Sequence, residues 1–298
     1  MPDGIIDLAV VPVAGHGTRL LPSTKSQPKE MLPIGRKPVV QYVVEEMARS
    51  DIQRLLFITG PGKSSIENHF DLNIELISFL REKGKEDLLE ELDFERYEMQ
   101  YFYTRQRRQL GLGHAVLCAE PVVGNQPFVV ALGDSIIGMH AQSDIVRQMI
   151  EQFEKANADA VIAFETFPKD EVIHYGIAKP KGSVSGPFEL EDIIEKPSVD
   201  EAPSNFAVAA RYVFRPGIFE LLRNTPPGKG GEIQLTDAIR TLVKQGGRVL
   251  GVPLAEGERR FDIGNFSSYF QAFVEFALAD PKYGPELREV VTNLLAKS

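Results

Sequence analysis

The sequence is poor in several residue types, and each shortage narrows what the protein can be. It has one cysteine, Cys118, so no disulfide can form within the chain. None of its five histidines has a second histidine or a cysteine at zinc spacing, so no structural zinc site is expected. The longest apolar runs, such as residues 128–132, are far shorter than the roughly 20 residues that cross a bilayer, so we expect no membrane partner.

Positive charge is also scarce. The chain has 33 basic and 42 acidic residues, which gives a net charge of −9. Nucleic-acid binding needs basic surface to neutralise phosphates, so no nucleic-acid partner is expected. The first residues are acidic where a signal peptide would be basic, and together with the single cysteine this predicts a cytoplasmic protein.

What the sequence does contain is typical of a globular domain. Its 298 residues are 43% hydrophobic and 25% charged, enough to bury a large core without metal or disulfide support. No repeat and no convincing linker divides the chain. We therefore expect one domain over residues 1–298, with a catalytic core over about 7–265 and C-terminal helices over about 266–298.

Alternating apolar runs and helical patterns predict an α/β fold. The nearly continuous apolar run 6–13 is typical of a strand buried on both faces, and it is followed by a helical pattern over Val39–Arg49 and a second run at 55–59. We predict a Rossmann-like, mostly parallel (mixed) central sheet flanked by helices. Further strands are expected at 99–103, 128–132, 159–165 and 207–214, helices at 144–155, 266–278 and 285–295, a solvated helical excursion at 75–92, and a small antiparallel element within 180–203.

A glycine-rich loop follows the first strand and is the most informative segment. Residues 14–22 read AGHGTRLLP, and Gly15 and Gly17 allow the backbone to approach an anionic ligand such as a nucleotide phosphate. Taken alone this is a weak signal, since a tight turn after a strand has the same composition. A dinucleotide fingerprint is excluded because Leu20 stands where it needs Gly or Ala. The later GPGKS segment at 60–64 lacks the first glycine of a P-loop, Phe57 being in its place, and is interpreted as a plain turn from strand to helix.

The continuation of the loop carries a family signature. Arg19, Lys25 and Lys29 concentrate positive charge close to the glycines, which suits a triphosphate or its pyrophosphate leaving group. The pattern G-x-G-T-R-x-x-P-x-T-x-x-x-P-K-E-M-L-P over residues 15–33 resembles the signature of sugar-1-phosphate nucleotidylyltransferases. Its PKEMLP form is similar to the bacterial UTP:glucose-1-phosphate uridylyltransferases. The resemblance extends from about residue 10 to 266.

The resemblance implies a nucleotide site built from the first loop and a second segment. Residues 106–115, QRRQLGLGHA, resemble the base-reading segment of the family, in which a glutamine amide offers a donor and an acceptor to uracil. Gln106 and Glu30 would choose the base, and Arg19 and Lys29 would bind the triphosphate as catalytic residues. The expected nucleotide-binding residues are Ala14, Gly15, Gly17, Thr18, Lys25, Glu30, Gln106 and Gly111.

Two aspartates in matching motifs imply a metal site. Asp134 ends the apolar run LGD, and Asp262 lies in RFDIGN at 260–265, which resembles the distal metal-binding segment of the family. Mg²⁺ is commonly bound by one or two carboxylates together with substrate phosphates, so Mg²⁺ is the expected cofactor. Asp134 is also expected to act in catalysis.

Three further segments imply the sugar site. YGIA at 175–178, EKP at 195–197 and SNFAVA at 204–209 match family segments. Gly176, Glu195 and Val208 are expected at the sugar, and Lys196 at its phosphate as a catalytic residue. Residues 231–237, GEIQLTD, also resemble the family but are left outside the catalytic set.

The implied reaction is attack of glucose 1-phosphate on the α-phosphorus of UTP, giving UDP-glucose and pyrophosphate. UTP and glucose 1-phosphate are thus the expected partners, and a homodimer or homotetramer is the expected assembly. Two alternatives stay open: a thymidylyltransferase or an enzyme for another sugar, and a non-catalytic relative that binds a nucleotide sugar.

Overall fold

A mixed sheet of nine strands forms the centre of the protein in a computed structural model that describes residues 6–168 and 171–297. The strands are β1 Leu8–Pro12, β2 Pro33–Ile34, β3 Lys37–Pro38, β4 Arg54–Thr59, β5 Gln100–Arg105, β6 Phe128–Ala131, β7 Ser135–Ile137, β8 Ala160–Thr166, β9 Gly176–Pro180, β10 Phe188–Glu195, β11 Phe206–Phe214, β12 Val249–Pro253 and β13 Arg260–Asp262. The helices are α1 Val39–Arg49, α2 Ser64–Phe70, α3 Ile74–Glu82, α4 Glu86–Glu90, α5 Leu112–Leu117, α6 Glu120–Val123, α7 Ile145–Ala156, α8 Ile218–Asn224, α9 Leu235–Lys244, α10 Phe266–Ala279 and α11 Gly284–Leu295.

The nine strands lie in the order β5-β4-β1-β6-β11-β8-β12-β10-β9. The pairs β5/β4, β4/β1, β1/β6 and β8/β12 are parallel, whereas β11 is antiparallel to β6 and β8, and β10 is antiparallel to β12 and β9. Of the nine strands, only β10 and β11 therefore run against the other seven. The mostly parallel, mixed sheet predicted from the sequence is confirmed.

Successive side chains of each strand point to opposite faces of the sheet, and helices bury both faces. In β1, Ala9 and Val11 face one core together with Val43 of α1, while Leu8 and Val10 face a second core. Helices α1, α2 and α7 cover the first face, and α5, α8 and α9 cover the second. The long apolar runs of the sequence are explained by this double burial.

The predicted elements agree with the structure to within one or two residues at their ends. Helix α1 has the predicted bounds, and β4, β5, β6, β8 and β11 occupy the predicted runs. The small antiparallel element predicted within 180–203 contains β10, which pairs with β12 of the main sheet, whereas its other neighbour β9 ends at Pro180, at the start of the predicted range. Helices α3 and α4 form the predicted excursion over 75–92.

The C-terminal helix α10 packs against α1 and β13. Phe276 of α10 lies 5.0 Å from Phe261 and 5.2 Å from Tyr42, measured between ring centres. This contact supports a single domain over the whole chain, which stays a prediction. Of the helices that the structure describes, none has the length and apolar content needed to span a membrane.

Candidate active site

The carboxyl ends of four parallel strands meet at one edge of the sheet. The glycine loop follows β1, Gly60 follows β4, Gln106 follows β5, and Asp134 follows β6. Open α/β sheets bind ligands at this edge. Segments far apart in sequence are thus brought to one place by strand direction alone.

The glycine loop is held in a fixed shape. Gly17 has a φ of 67°, in the left-handed region that favours glycine, and Thr24 Oγ1 donates a hydrogen bond to Gly17 O at 2.8 Å. A Cβ placed on Gly15 would lie 3.9 Å from Lys29 Nζ, so the lysine passes directly over this glycine. Thr18, Arg19 and Lys25 are exposed beside them, and Ala14 is buried at the end of the strand. The loop therefore leaves backbone and cations open to an anionic ligand.

Lys29 and Asp134 form a close ion pair at the centre of the site. Burial lowers the pKa of the Lys29 ammonium, but Asp134, Glu30 and Asp262 outweigh it and raise that pKa above its ordinary value. Burial raises the pKa of the Asp134 carboxyl, but Lys29 and, more weakly, Arg260 hold it below its ordinary value. Both groups are consequently charged at neutral pH.

The two predicted metal ligands lie side by side. Strand β13 pairs with β7 so that Asp262 faces Ser135, and Ile263 N donates to Asp134 O at 3.2 Å. Gly264 N donates to Asp262 Oδ1 at 2.9 Å. A Cβ on Gly264 would lie 3.1 Å from that oxygen and 3.2 Å from Arg19 Nη2, so Arg19 reaches the same place.

This pair of carboxylates has the donor chemistry of a Mg²⁺ site. The family that the sequence resembles generally uses a divalent metal ion. Carboxylate oxygens are the hard ligands that Mg²⁺ prefers. In the described part of the chain, no third Asp, Glu, His or Cys completes a metal cluster with Asp134 and Asp262. The remaining ligands would then be substrate oxygens and water.

Glu30 is buried and paired with a lysine from a later segment. It is 1% exposed, and its Oε2 accepts a hydrogen bond from Lys63 Nζ at 2.8 Å. Burial raises the pKa of Glu30, and this effect outweighs the opposing influence of Lys63 and Lys29. The carboxylate is therefore enclosed and already paired, and the predicted contact of Glu30 with the base stays a prediction. The pairing also draws Lys63, in a segment interpreted as a plain turn, into the site.

Gln106 and Gly111 have different roles in the structure. Gln106 is buried, and its Nε2 donates to Gly111 O at 3.1 Å. Gly111 has a φ of 101°, and a Cβ there would lie 2.7 Å from Glu232 Cβ and 2.8 Å from Ile233 O. The glycine is therefore required so that residues 232–233 can pack against it. Gln109, which sequence reasoning missed, ties the two nucleotide segments together by donating to Ala14 O at 2.7 Å.

The four predicted sugar residues line one cavity of about 230 Å³. Lys196 Nζ lies 3.3 Å from Glu195 Oε1, and Lys196 has a φ of 45°, a strained conformation that places its backbone N–H 2.9 Å from Tyr175 O. The lining includes Leu112, Leu132, Tyr175, Gly176, Glu195, Lys196, Val208, Tyr212, Gln234, Thr236 and Arg260. Gln234 and Thr236 come from the segment that was left outside the catalytic set.

Arg260 is the second residue that sequence reasoning missed, although its motif had been noted. It lines both the sugar cavity and a neighbouring cavity of about 330 Å³ that contains Asp262. Its guanidinium lies 4.5 Å from the centre of the Tyr175 ring, and its buried Nε and Nη2 have no hydrogen-bond partner among the described residues. The sequence could have indicated Arg260, because it lies two residues before Asp262 on a strand and so shares a face with that predicted metal ligand.

Comparisons with known proteins agree with this arrangement. Residues 8–277 match the nucleotidyl transferase family. The UTP–glucose-1-phosphate uridylyltransferase YngB of Bacillus subtilis is 44% identical over 97% of this chain and 95% of its own length. Among solved structures, UTP-bound UGPase from Acinetobacter baumannii superposes with a TM-score of 0.87 at 39% identity, over 97% of this chain and 100% of that one.

A further solved structure is that of a UDP-glucose pyrophosphorylase complexed with UDP-glucose. It superposes with a TM-score of 0.82 at 37% identity, over 91% of this chain and 98% of that one. Family, relatives and solved structures thus agree over nearly the whole length. The chain belongs to the nucleotidyl transferase family and, within it, to the UTP–glucose-1-phosphate uridylyltransferases.

Proposed function

We propose that the protein transfers a uridylyl group from UTP to glucose 1-phosphate, giving UDP-glucose and pyrophosphate. The observation that carries this proposal is the position of Asp134. It lies beside Lys29 and Asp262, and Arg260, which affects its ionisation, also lines the sugar cavity. A nucleotide over the glycine loop and a sugar phosphate in that cavity would therefore meet at Asp134. The relatives' names, which state this reaction, support it.

For this reaction the protein has to orient the two substrates and neutralise their negative charge. The nucleophile is an ionised phosphate oxygen, so no side chain needs to remove a proton from it, and no covalent enzyme intermediate is required. The obstacle is the repulsion between two anionic substrates brought into line. Orientation can supply about 7 to 11 kcal/mol in favourable cases, and fixed cations must offset the repulsion.

We assign the cations by position. Arg19, Lys25 and Lys29 border the glycine loop and serve the triphosphate, with Ala14, Gly15, Gly17 and Thr18 offering the backbone around it. Lys29 also faces the pyrophosphate as it leaves, because it passes over Gly15. Lys196 extends from the strained turn in the sugar cavity and serves the sugar phosphate, while the neighbouring Glu195 accepts from sugar hydroxyls.

Mg²⁺ is the proposed cofactor, held by Asp134 and Asp262. When bound, the ion neutralises phosphate charge and helps to align the two substrates. Lys29 pairs with one oxygen of Asp134, so Asp134 would offer its other oxygen to the ion. The bonded β7 and β13 fix the spacing of the two aspartates.

The test is a pyrophosphate-release assay on the purified protein with pairs of nucleotide and sugar phosphate. We expect the highest kcat/KM for UTP with glucose 1-phosphate, and a requirement for Mg²⁺. Higher activity with dTTP would indicate a thymidylyltransferase. Nucleotide-sugar binding without release of pyrophosphate from any pair would indicate a non-catalytic relative, and either result would overturn the proposal.

Assembly and location are separate proposals. We propose a homodimer or homotetramer, which is checked by measuring the solution mass. Phe270, Phe273 and Val274 of α10 are exposed and offer apolar surface for such a contact. A cytoplasmic location stays a prediction from the single cysteine.

A further inference from the structure

The amide of Gln106 has both of its N–H groups occupied. Its Nε2 donates to Gly111 O at 3.1 Å and lies 2.9 Å from His114 Nδ1. A backbone carbonyl can only accept, so the nitrogen end of the amide must face Gly111. Among the groups that the structure describes, no donor reaches the other end, Gln106 Oε1.

This arrangement leaves a single acceptor for a ligand. Uracil carries an N–H at N3, which can donate to a carbonyl oxygen. Cytosine has a lone pair at N3, which would face the oxygen of Gln106 without a proton between them. A glutamine with a free amide could rotate to suit either base, whereas one with its N–H groups occupied cannot.

We propose that His114 is a positioning residue that determines base specificity. By accepting a hydrogen bond from Gln106 Nε2, it fixes the carbonyl of Gln106 toward the base and so favours uracil over cytosine. This inference rests on the proposed function and on the expected contact of Gln106 with the base. In this role His114 acts through Gln106 and not through a contact of its own with the base.

The role requires a neutral imidazole with a bare Nδ1. A protonated His114 would present an N–H to the N–H of Gln106, and the amide would have to rotate. Burial lowers the pKa of His114, which keeps the ring neutral at physiological pH. Cys118 Sγ lies 3.9 Å from the same nitrogen, and burial raises the pKa of that thiol.

Other charged groups surround this histidine. Arg105, Arg107 and Arg108 line a cavity together with His114 and Cys118. Helix α5, which carries His114, packs against β1, α8 and α9. The charged residues of these packed elements are Glu220, Arg223, Asp237, Arg240 and Lys244, of which Arg223 pairs with Glu120 and Arg240 with Asp192.

Two substitutions separate the acceptor from the rest of the side chain. His114→Leu removes the acceptor, whereas His114→Asn can place Oδ1 where Nδ1 lies. Cys118→Ala is the matched control in the same cavity. Kd values for UTP and CTP are measured by titration calorimetry without glucose 1-phosphate, so that the result does not depend on turnover.

We expect His114→Leu to weaken UTP binding roughly 10-fold and to reduce the preference for UTP over CTP by a similar factor, as suits the loss of one hydrogen bond. His114→Asn and Cys118→Ala should stay within about threefold of the parent. Equal preferences in the Leu and Asn variants would overturn the inference. A parent that binds UTP and lacks transferase activity would instead refute the proposed function alone.

A pH series gives a second readout that a purely structural histidine would not move. Titration of UTP itself affects all variants equally and cancels in a ratio. As the pH falls below 6.5, the parent should lose UTP affinity relative to His114→Asn, because only the parent acquires an N–H at that position. A ratio independent of pH from 7.5 to 5 would refute the role of His114, even if the Leu variant does not fold.

Discussion

Replacing Lys63 with Met should destabilise the protein in a way that depends on pH. The Lys63 and Glu30 side chains are 6% and 2% exposed, and their charged atoms are 2.8 Å apart. At an effective dielectric constant near 20, such a pair attracts with about 6 kcal/mol before desolvation is subtracted. Without Lys63, the Glu30 carboxylate would be left buried beside Asp134.

The magnitude is limited because Glu30 can take up a proton. Its ordinary pKa is 4.5, and for each pH unit above that value the free energy needed to keep the carboxyl protonated rises by about 1.36 kcal/mol. Keeping Glu30 protonated therefore costs about 3.4 kcal/mol at pH 7 and about 0.7 kcal/mol at pH 5. Since 3.4 is less than the attraction lost, protonation limits the penalty, and because burial already raises the pKa of Glu30 in the parent, we expect a loss below about 3.4 kcal/mol at pH 7, or up to roughly 7 °C in Tm.

The sign follows from the direction of the shift. In Lys63→Met the pKa of Glu30 rises further, because burial remains and Lys63, the stronger of the two opposing lysines, is gone. The folded variant then binds a proton that the unfolded chain releases above pH 4.5, so stability relative to the parent falls as pH rises.

Urea unfolding of parent and variant between pH 5 and 7.5 measures this difference. The double variant Glu30→Gln with Lys63→Met is the matched control, since it removes both charges and should recover most of the loss. A penalty that is the same at every pH, or a double variant no more stable than the single one, would refute the reasoning.

Three further predictions concern the site itself. Lys29→Ala should lower kcat by about 100-fold or more and change Tm by only a few degrees, because its charge matters most to the leaving pyrophosphate; unchanged kinetics would remove it from the site. Asp134→Asn should abolish Mg²⁺-dependent pyrophosphate release, as EDTA should in the parent, and an unchanged Mg²⁺ titration would remove Asp134 from the metal site. Gly176→Ala should raise KM for glucose 1-phosphate roughly 10-fold and leave KM for UTP nearly unchanged. The reason is that the new Cβ would lie 3.0 Å from Thr236 Oγ1 and 3.3 Å from Val208 Cγ2 in the wall of the sugar cavity. A change in KM for UTP alone would contradict the assignment of this cavity to the sugar.

Elements with strong local patterns were predictable from the sequence. Helix α1 was predicted with its observed bounds because Val40, Val43, Val44 and Met47 repeat at helical spacing and all face one core. Strand β9 at Gly176–Pro180 was not predicted, because its pairing with β10 is decided by tertiary contacts that the short segment alone does not encode.

The roles of individual site residues were harder to predict than their presence. Glu30 stands in a signature motif, and the motif does not reveal that a lysine 33 positions later neutralises it. Lys63 lies in a segment whose spacing excluded a P-loop, which left a plain turn as the simplest interpretation. The spacing around Lys63 could exclude a P-loop, but it could not indicate that Lys63 pairs with the buried Glu30.

The acidic balance of the chain does not oppose the binding of two anionic substrates, because charge acts over short distances. The Debye length is about 8 Å at physiological ionic strength, so exposed carboxylates across the surface are screened. Cations in a partly enclosed cleft are screened much less, and Lys29, Lys196 and Arg260 come together there from separate segments. A net charge of −9 argues against binding to an extended polyanion, whereas a small triphosphate experiences only the cations beside it.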